Sequence, residues 1–160
     1  MPINLRDGIK EDLPHVLQLI KELAEFEREP QEVEITLEEL EQDGFGEKPV
    51  FDFFVAEDTE QDKIVGLALY FYSYSTWKGK CIYLEDLIVT EAYRGQGIGK
   101  QLLDRIIQKA KEEDAQRVVW QVLDWNTPAI EFYKSLGASL LPEWVTCRLV
   151  KDQIQEYKVQ

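Results

Sequence analysis

Cysteine and histidine are scarce in this chain, with Cys81, Cys147 and a single His15 among 160 residues. Two distant thiols exclude a disulfide framework, and with one imidazole they exclude a cysteine/histidine zinc site. Both thiols are expected to be reduced and structural, and no metal is expected. His15 lies off the apolar stripe around it, so a solvated helix position is expected rather than catalysis. No apolar run approaches the ~20 residues a bilayer-spanning helix needs, which removes a membrane from the expected partners. The opening Met1–Asp7 lacks a basic stretch followed by an apolar one, and a cytoplasmic protein is expected. Positive charge is short as well: 18 basic against 31 acidic residues give a formal net charge of −13. That balance argues against nucleic-acid binding through phosphate contacts and fits a cationic partner, although solubility alone accounts for most of such an excess.

What is present is enough apolar material, 44% of residues, for one full-sized core, so residues 1–160 are expected to form a single domain. Ile3–Arg6 reads as a short strand. Leu13, Val16, Leu17, Ile20, Leu23 and Ala24 then recur at helical spacing, with Pro14 tolerated in the first turn. Thr36-Leu37-Glu38-Glu39 is a capping-box pattern opening a short helix that ends near Gly44. Strand grammar follows at Phe51–Glu57 and Ile64–Tyr72, an antiparallel hairpin, then a loop over Ser73–Gly79 and a strand over Lys80–Val89. Leu102, Leu103, Ile106, Ile107 and Ala110 mark a helix face, Arg117–Leu123 a buried strand, and Thr127-Pro128 a helix start closed by Gly137. A last strand is expected over Trp144–Val150. Strand-rich in the middle and alternating afterwards, the pattern is an α+β domain with a mixed sheet.

Glycine is concentrated at one place. Arg94-Gly95-Gln96-Gly97-Ile98-Gly99 lies between a strand and a helix, where glycines let backbone approach a ligand and free helix-start amides attract phosphates. A Walker loop would need glycine at position 94 and Ser or Thr at 101, which are Arg and Gln. A dinucleotide fingerprint would need glycine at 100, which is Lys. The remaining pattern, Arg-x-x-Gly-x-Gly, resembles the acyl-CoA diphosphate loop of the GNAT N-acetyltransferases. Ile20–Glu27, Asp43–Gly46, Tyr83–Asp86, Trp125-Asn126 and Phe132-Tyr133-Lys134 extend the resemblance to the diamine/polyamine acetyltransferase branch. Ser75-Thr76-Trp77-Lys78-Gly79 and Val122–Asn126 are similar to its thialysine-acetylating members. Polyamine enzymes of the branch carry Asp-Pro-Trp where this chain has Ser75-Thr76-Trp77.

That resemblance implies a single GNAT-like domain with a largely antiparallel sheet of six to seven strands, about four helices, and acetyl-CoA as acyl donor. It assigns the donor to Leu87, Ile88, Val89, Arg94, Gly95, Gln96, Gly97, Ile98, Gly99, Lys100, Asn126, Thr127, Pro128, Ala129 and Tyr133. A bulge or splay near Leu87–Val89 would expose backbone donors to the thioester oxygen. The acceptor amine is assigned to Phe26, Glu27, Ser75, Thr76, Trp77, Glu85, Val119, Trp120 and Gln121, and a homodimer is implied.

The chemistry itself sets a requirement. An alkyl ammonium with pKa about 10.4 must lose a proton before it attacks a thioester. Glu85, placed by its motif on the strand before the glycine loop, is the expected general base, and the resemblance implies Tyr133 as the acid for the leaving thiolate. Strand alternation turns Asp86 to the opposite face unless a bulge intervenes. A small-molecule amine N-acetyltransferase is the expected function, with a protein acetyltransferase and a non-enzymatic acyl-CoA-binding module as alternatives.

Overall fold

A computed structural model describes residues 2–160 and divides the chain into two compact units, Met1–Gln121 and Val122–Gln160. In the first, the elements run β1 (Ile3–Asp7), α1 (Leu13–Phe26), α2 (Leu37–Phe45), β2 (Asp52–Asp58), β3 (Lys63–Ser75), β4 (Gly79–Val89), α3 (Ile98–Glu112) and β5 (Arg117–Val119). The strands form one sheet in the order β1-β2-β3-β4-β5, antiparallel except for the parallel β4–β5 pair. A strand, the glycine loop, α3 and a second strand thus make the expected crossover.

Alternation along β2 and β3 supplies two apolar faces. Phe53, Val55, Leu67 and Leu69 join Leu13, Val16 and Leu19 of α1 and Leu40 of α2 in one buried cluster. On the other face α3 approaches so closely that a side chain at Gly66 would meet Leu102 Cδ1 at 2.9 Å. Pro14 is accommodated in the first turn of α1, where its missing N–H costs nothing. Thr36 caps α2 by accepting from Glu39 N–H at 3.1 Å. That helix runs through Gly44 to Phe45, with Gly46 as its C-cap.

Val122–Gln160 contains α4 (Thr127–Ser135) and a six-residue helix, α5 (Lys151–Glu156). Asn126 Oδ1 caps α4 by accepting from Ala129 N–H at 3.4 Å. Gly137, with φ +89°, follows the end of α4.

Four expectations need correction. The sheet has five strands, not six or seven. Among the described residues Trp144–Val150 pair with no strand, and Val145 and Leu149 are exposed; β-propensity without a neighbouring ladder does not make a strand. The strand expected over Arg117–Leu123 is confined to Arg117–Val119 because its pairing with β4 ends at Tyr83. The Ser73–Gly79 loop is also shorter than expected, since the β3–β4 ladder runs on to Ser75 and Gly79. Among the described residues no helix is long and apolar enough to cross a membrane.

Candidate active site

Strand β4 carries an extra residue. Leu69 pairs with Asp86 while Tyr70 pairs with Leu84, which leaves Glu85 as the bulge. A bulge breaks strict alternation and re-aims neighbouring side chains. Asp86 pairs with Leu69, so it lies on the Leu67/Leu69 face that packs with α1, and there burial, then the charges of Glu85 and Glu27, push its carboxyl up to about 7. Glu27, just past α1, is raised by desolvation and then by Glu85. Three carboxylates therefore act on one another, where alternation alone separates Glu85 from Asp86. The phenol of Tyr83 is raised by burial and by Glu85, and its ring stacks on Phe71 at 5.0 Å. Asp86, Phe71 and Tyr83 were not selected from the sequence. Tyr83 could have been found from its i,i+2 relation to Glu85, whereas Asp86 depends on the bulge.

Beyond the bulge β4 opens on its β5 side. Pairing with β5 covers only Cys81–Tyr83, while pairing with β3 continues to Val89. Thr90 N–H donates to Val65 O on β3 at 2.9 Å, and Val89 O accepts from Arg94 Nε at 2.9 Å. Backbone groups of successive strand residues point to opposite sides. Val89 and Leu87 consequently turn their amides to the open edge, and Ile88 turns its amide to β3. The irregularity sits at Glu85, and the opening next to it reaches the expected Leu87–Val89.

The glycine loop follows after a short 3-10 turn, Glu91–Tyr93. Gly95 and Gly97 have φ of +80° and +81°, and a side chain added at either would meet nothing within 4 Å. The loop thus has left-handed backbone, which favours glycine, and open space above it. The first turn of α3 has no side-chain cap, and Gln101 N–H to Gly97 O is its first backbone bond. The amides of Ile98, Gly99 and Lys100 therefore have no intrahelical acceptor. This donor set fits a diphosphate. Two cations border it: Arg94 contacts Glu22 at 3.4 Å, and Lys100 contacts Asp104 at 3.0 Å. Exposed pairs of this kind are worth about 0–1 kcal/mol, weak enough to exchange for an anionic ligand. Gln96 is exposed beside them.

The remaining expected residues lie on several elements. Phe26 ends α1 with its ring 5.7 Å from the Arg94 guanidinium carbon. Ser75 Oγ accepts from the amides of Trp77 and Lys78, so Ser75, Thr76 and Trp77 form the β3–β4 turn, with Trp77 exposed. That turn lies five ladder positions from Leu84 and Tyr70, roughly 17 Å from the bulge at ~3.4 Å per residue. It is not brought together with the carboxylates. Val119 ends β5, and Trp120 and Gln121 follow it outside the ladder. In the second unit Asn126 serves as the α4 cap, Thr127, Pro128 and Ala129 form its first turn, and Tyr133 is half-buried. Burial pushes the Tyr133 phenol up, so it keeps its proton at neutral pH.

Residues 15–138 match the Acetyltransferase (GNAT) family. A thialysine N-epsilon-acetyltransferase of Bos taurus is 42% identical over 96% of this chain and 96% of its own length. Homo sapiens spermidine/spermine N(1)-acetyltransferase-like protein 1 is 42% identical over 79% of this chain, a stretch amounting to 19% of that protein. An integron cassette protein from the mobile metagenome of V. cholerae has a similar fold, with TM-score 0.79 and 25% identity over 98% of this chain and 97% of that one.

Proposed function

The chain belongs to the GNAT family and is an N-acetyltransferase, and from that premise we propose that it transfers acetyl from acetyl-CoA directly to the primary amine of a small cationic acceptor. The acceptor is a thialysine-, lysine-, diamine- or polyamine-like molecule. One observation carries the proposal: a single strand places the carboxylates of Glu85 and Asp86 immediately before an open edge and a glycine loop suited to a diphosphate. Acceptor and donor features thus follow one another along β4.

The donor supplies a thioester carbonyl. The Ile98, Gly99 and Lys100 amides hold its diphosphate, and the Leu87 and Val89 amides line the edge along which its pantetheine runs. Glu27, Glu85 and Asp86 hold the ammonium, with the Phe71–Tyr83 pair against its aliphatic part. The Glu85/Asp86 pair then takes the proton. A carboxyl held near 7 is about three units more basic than an ordinary aspartate, which lowers the cost of deprotonating the amine by about 4 kcal/mol. Tyr133 supplies a proton to the departing thiolate.

Supporting a small acceptor are the three mutually interacting carboxylates, on which a compact cation fits, together with the acceptors in the relatives' names. A homodimer and a cytoplasmic setting complete the proposal. The test is an acceptor screen with acetyl-CoA, reading CoA release with free amines and with basic peptides. Turnover of thialysine, lysine or diamines is the expected result. Turnover of peptides alone would replace it with a protein acetyltransferase.

A further inference from the structure

We propose that Glu22 is a positioning residue for the donor site, holding residues 90–94 against α1 and thereby setting where the glycine loop stands. This rests on the assignment of that loop to the CoA diphosphate. Glu22 Oε2 accepts from Thr90 Oγ1 at 2.9 Å, and Oε1 accepts from Glu91 N–H at 2.9 Å and Arg94 Nη2 at 3.4 Å. One carboxylate thus holds the side chain of Thr90 and the backbone of Glu91, 68 and 69 positions away in sequence, with the exchangeable Arg94 contact beside them. It also takes the first amide of the Glu91–Tyr93 turn, whose own N-cap, Thr90, makes no side-chain cap bond.

The loop needs such a hold. Side chains added at Gly95 or Gly97 would touch nothing within 4 Å, so packing around these two positions does not fix the loop, and its placement comes from its flanks, residues 90–94 on one side and buried Ile98 of α3 on the other. Helix α1 is a firm support, with Leu13, Val16 and Leu19 buried in the core. A second hold acts at the same segment: Tyr93 OH donates at 2.7 Å to Asp58, which is 2% exposed and also accepts from the amides of Glu60 and Gln61.

Charge alone predicts the reverse of this role. A carboxylate beside a diphosphate site repels the ligand and occupies Arg94, so its removal would tighten donor binding. Positioning predicts that its removal weakens it. The two accounts therefore differ in sign.

The experiment measures CoA binding by calorimetry, KM for acetyl-CoA and for the acceptor, and hydrogen exchange of the Glu91–Gly99 amides without ligand. Glu22→Ala is expected to weaken CoA binding about tenfold, the equivalent of losing about two hydrogen bonds, while the acceptor KM stays within about twofold. Glu22→Gln keeps an acceptor for Glu91 N–H and a donor for Thr90 Oγ1, and is expected to recover most of the loss. Thr90→Val, which removes one bond from the loop side, is expected to cost about threefold and carries the test if Glu22→Ala does not fold. Amides of residues 91–99 are expected to exchange faster in Glu22→Ala. Tighter or unchanged CoA binding with unchanged exchange overturns the proposal, as does an equal rise in both KM values. If the unaltered protein fails to bind CoA, the donor assignment falls, and exchange alone decides whether Glu22 holds the loop.

Discussion

Asp86 has its proton affinity set by where the chain places it more than by its chemical type. Burial and the charges of Glu85 and Glu27 hold it near 7, so kcat/KM is expected to rise with pH through about that value as the carboxylate forms. Glu85→Gln removes one repelling charge, which lets Asp86 ionise at lower pH; the midpoint of the rise moves down, and the loss of rate shrinks as the amine itself deprotonates. Asp86→Asn removes that rise. An unmoved midpoint in Glu85→Gln would separate the two carboxylates. The same shift has a consequence for stability. Between about pH 4 and 7 the folded chain holds a proton at Asp86 that the unfolded chain has released. Stability is therefore expected to fall as pH rises through 7, and urea titrations of Asp86→Asn at pH 5.5 and 8 should show a smaller difference than the unaltered protein. Tyr133 presents the complementary case. Tyr133→Phe is expected to lower kcat about 100-fold or more while leaving acetyl-CoA affinity within about twofold, measured by steady-state kinetics and calorimetry. The proposed roles of Glu85 and Tyr133 were suggested by motif position, whereas the one proposed for Asp86 depends on a displacement of one residue in pairing, which local alternation cannot show.

In the proposed donor site backbone elements, rather than side chains, make the contacts, and Gly97 separates the contributions. A side chain at position 97 meets nothing within 4 Å, so Gly97→Ala costs the folded chain only its left-handed φ, about 1 kcal/mol. Donor affinity is expected to fall tenfold or more, because the added methyl stands where the diphosphate must approach. An affinity loss no larger than the loss in unfolding free energy would place the ligand elsewhere. Helices α1, α2 and α3 and strands β1–β4 were legible because each carries a local signal, such as the apolar stripe of α1 or the Thr36 cap. The pairing on the β5 side of β4 was not. The Trp144–Val150 run has a strand's composition, but hydrogen bonding is completed by a neighbour, and composition does not supply one. Likewise β5 stops at Val119 although apolar residues continue past it.

Charge is unevenly distributed over the whole molecule, and that bears on assembly. Residues 122–160 contain five acids (Asp124, Glu131, Glu143, Asp152, Glu156) and four bases (Lys134, Arg148, Lys151, Lys158), so nearly all of the net −13 lies in residues 1–121. The near-neutral part also exposes Leu141, Val145, Leu149, Val150 and Ile154, each more than half accessible. Scattered exposed apolar residues are ordinary, and these five are the ones the proposed dimer contact would cover. A contact through residues 122–160 brings little net charge of its own together. The expected solution species is a dimer of the 18.7 kDa chain, measured by light scattering, with little dependence on salt because its contact is apolar rather than charged. Val145 is 82% exposed, so Val145→Asp leaves the folded chain undisturbed while placing a charge in the proposed contact. That variant is expected to run as a single chain with an unchanged circular dichroism spectrum. A dimer that survives Val145→Asp would place the contact on another surface, and a monomeric unaltered protein would remove the dimer altogether.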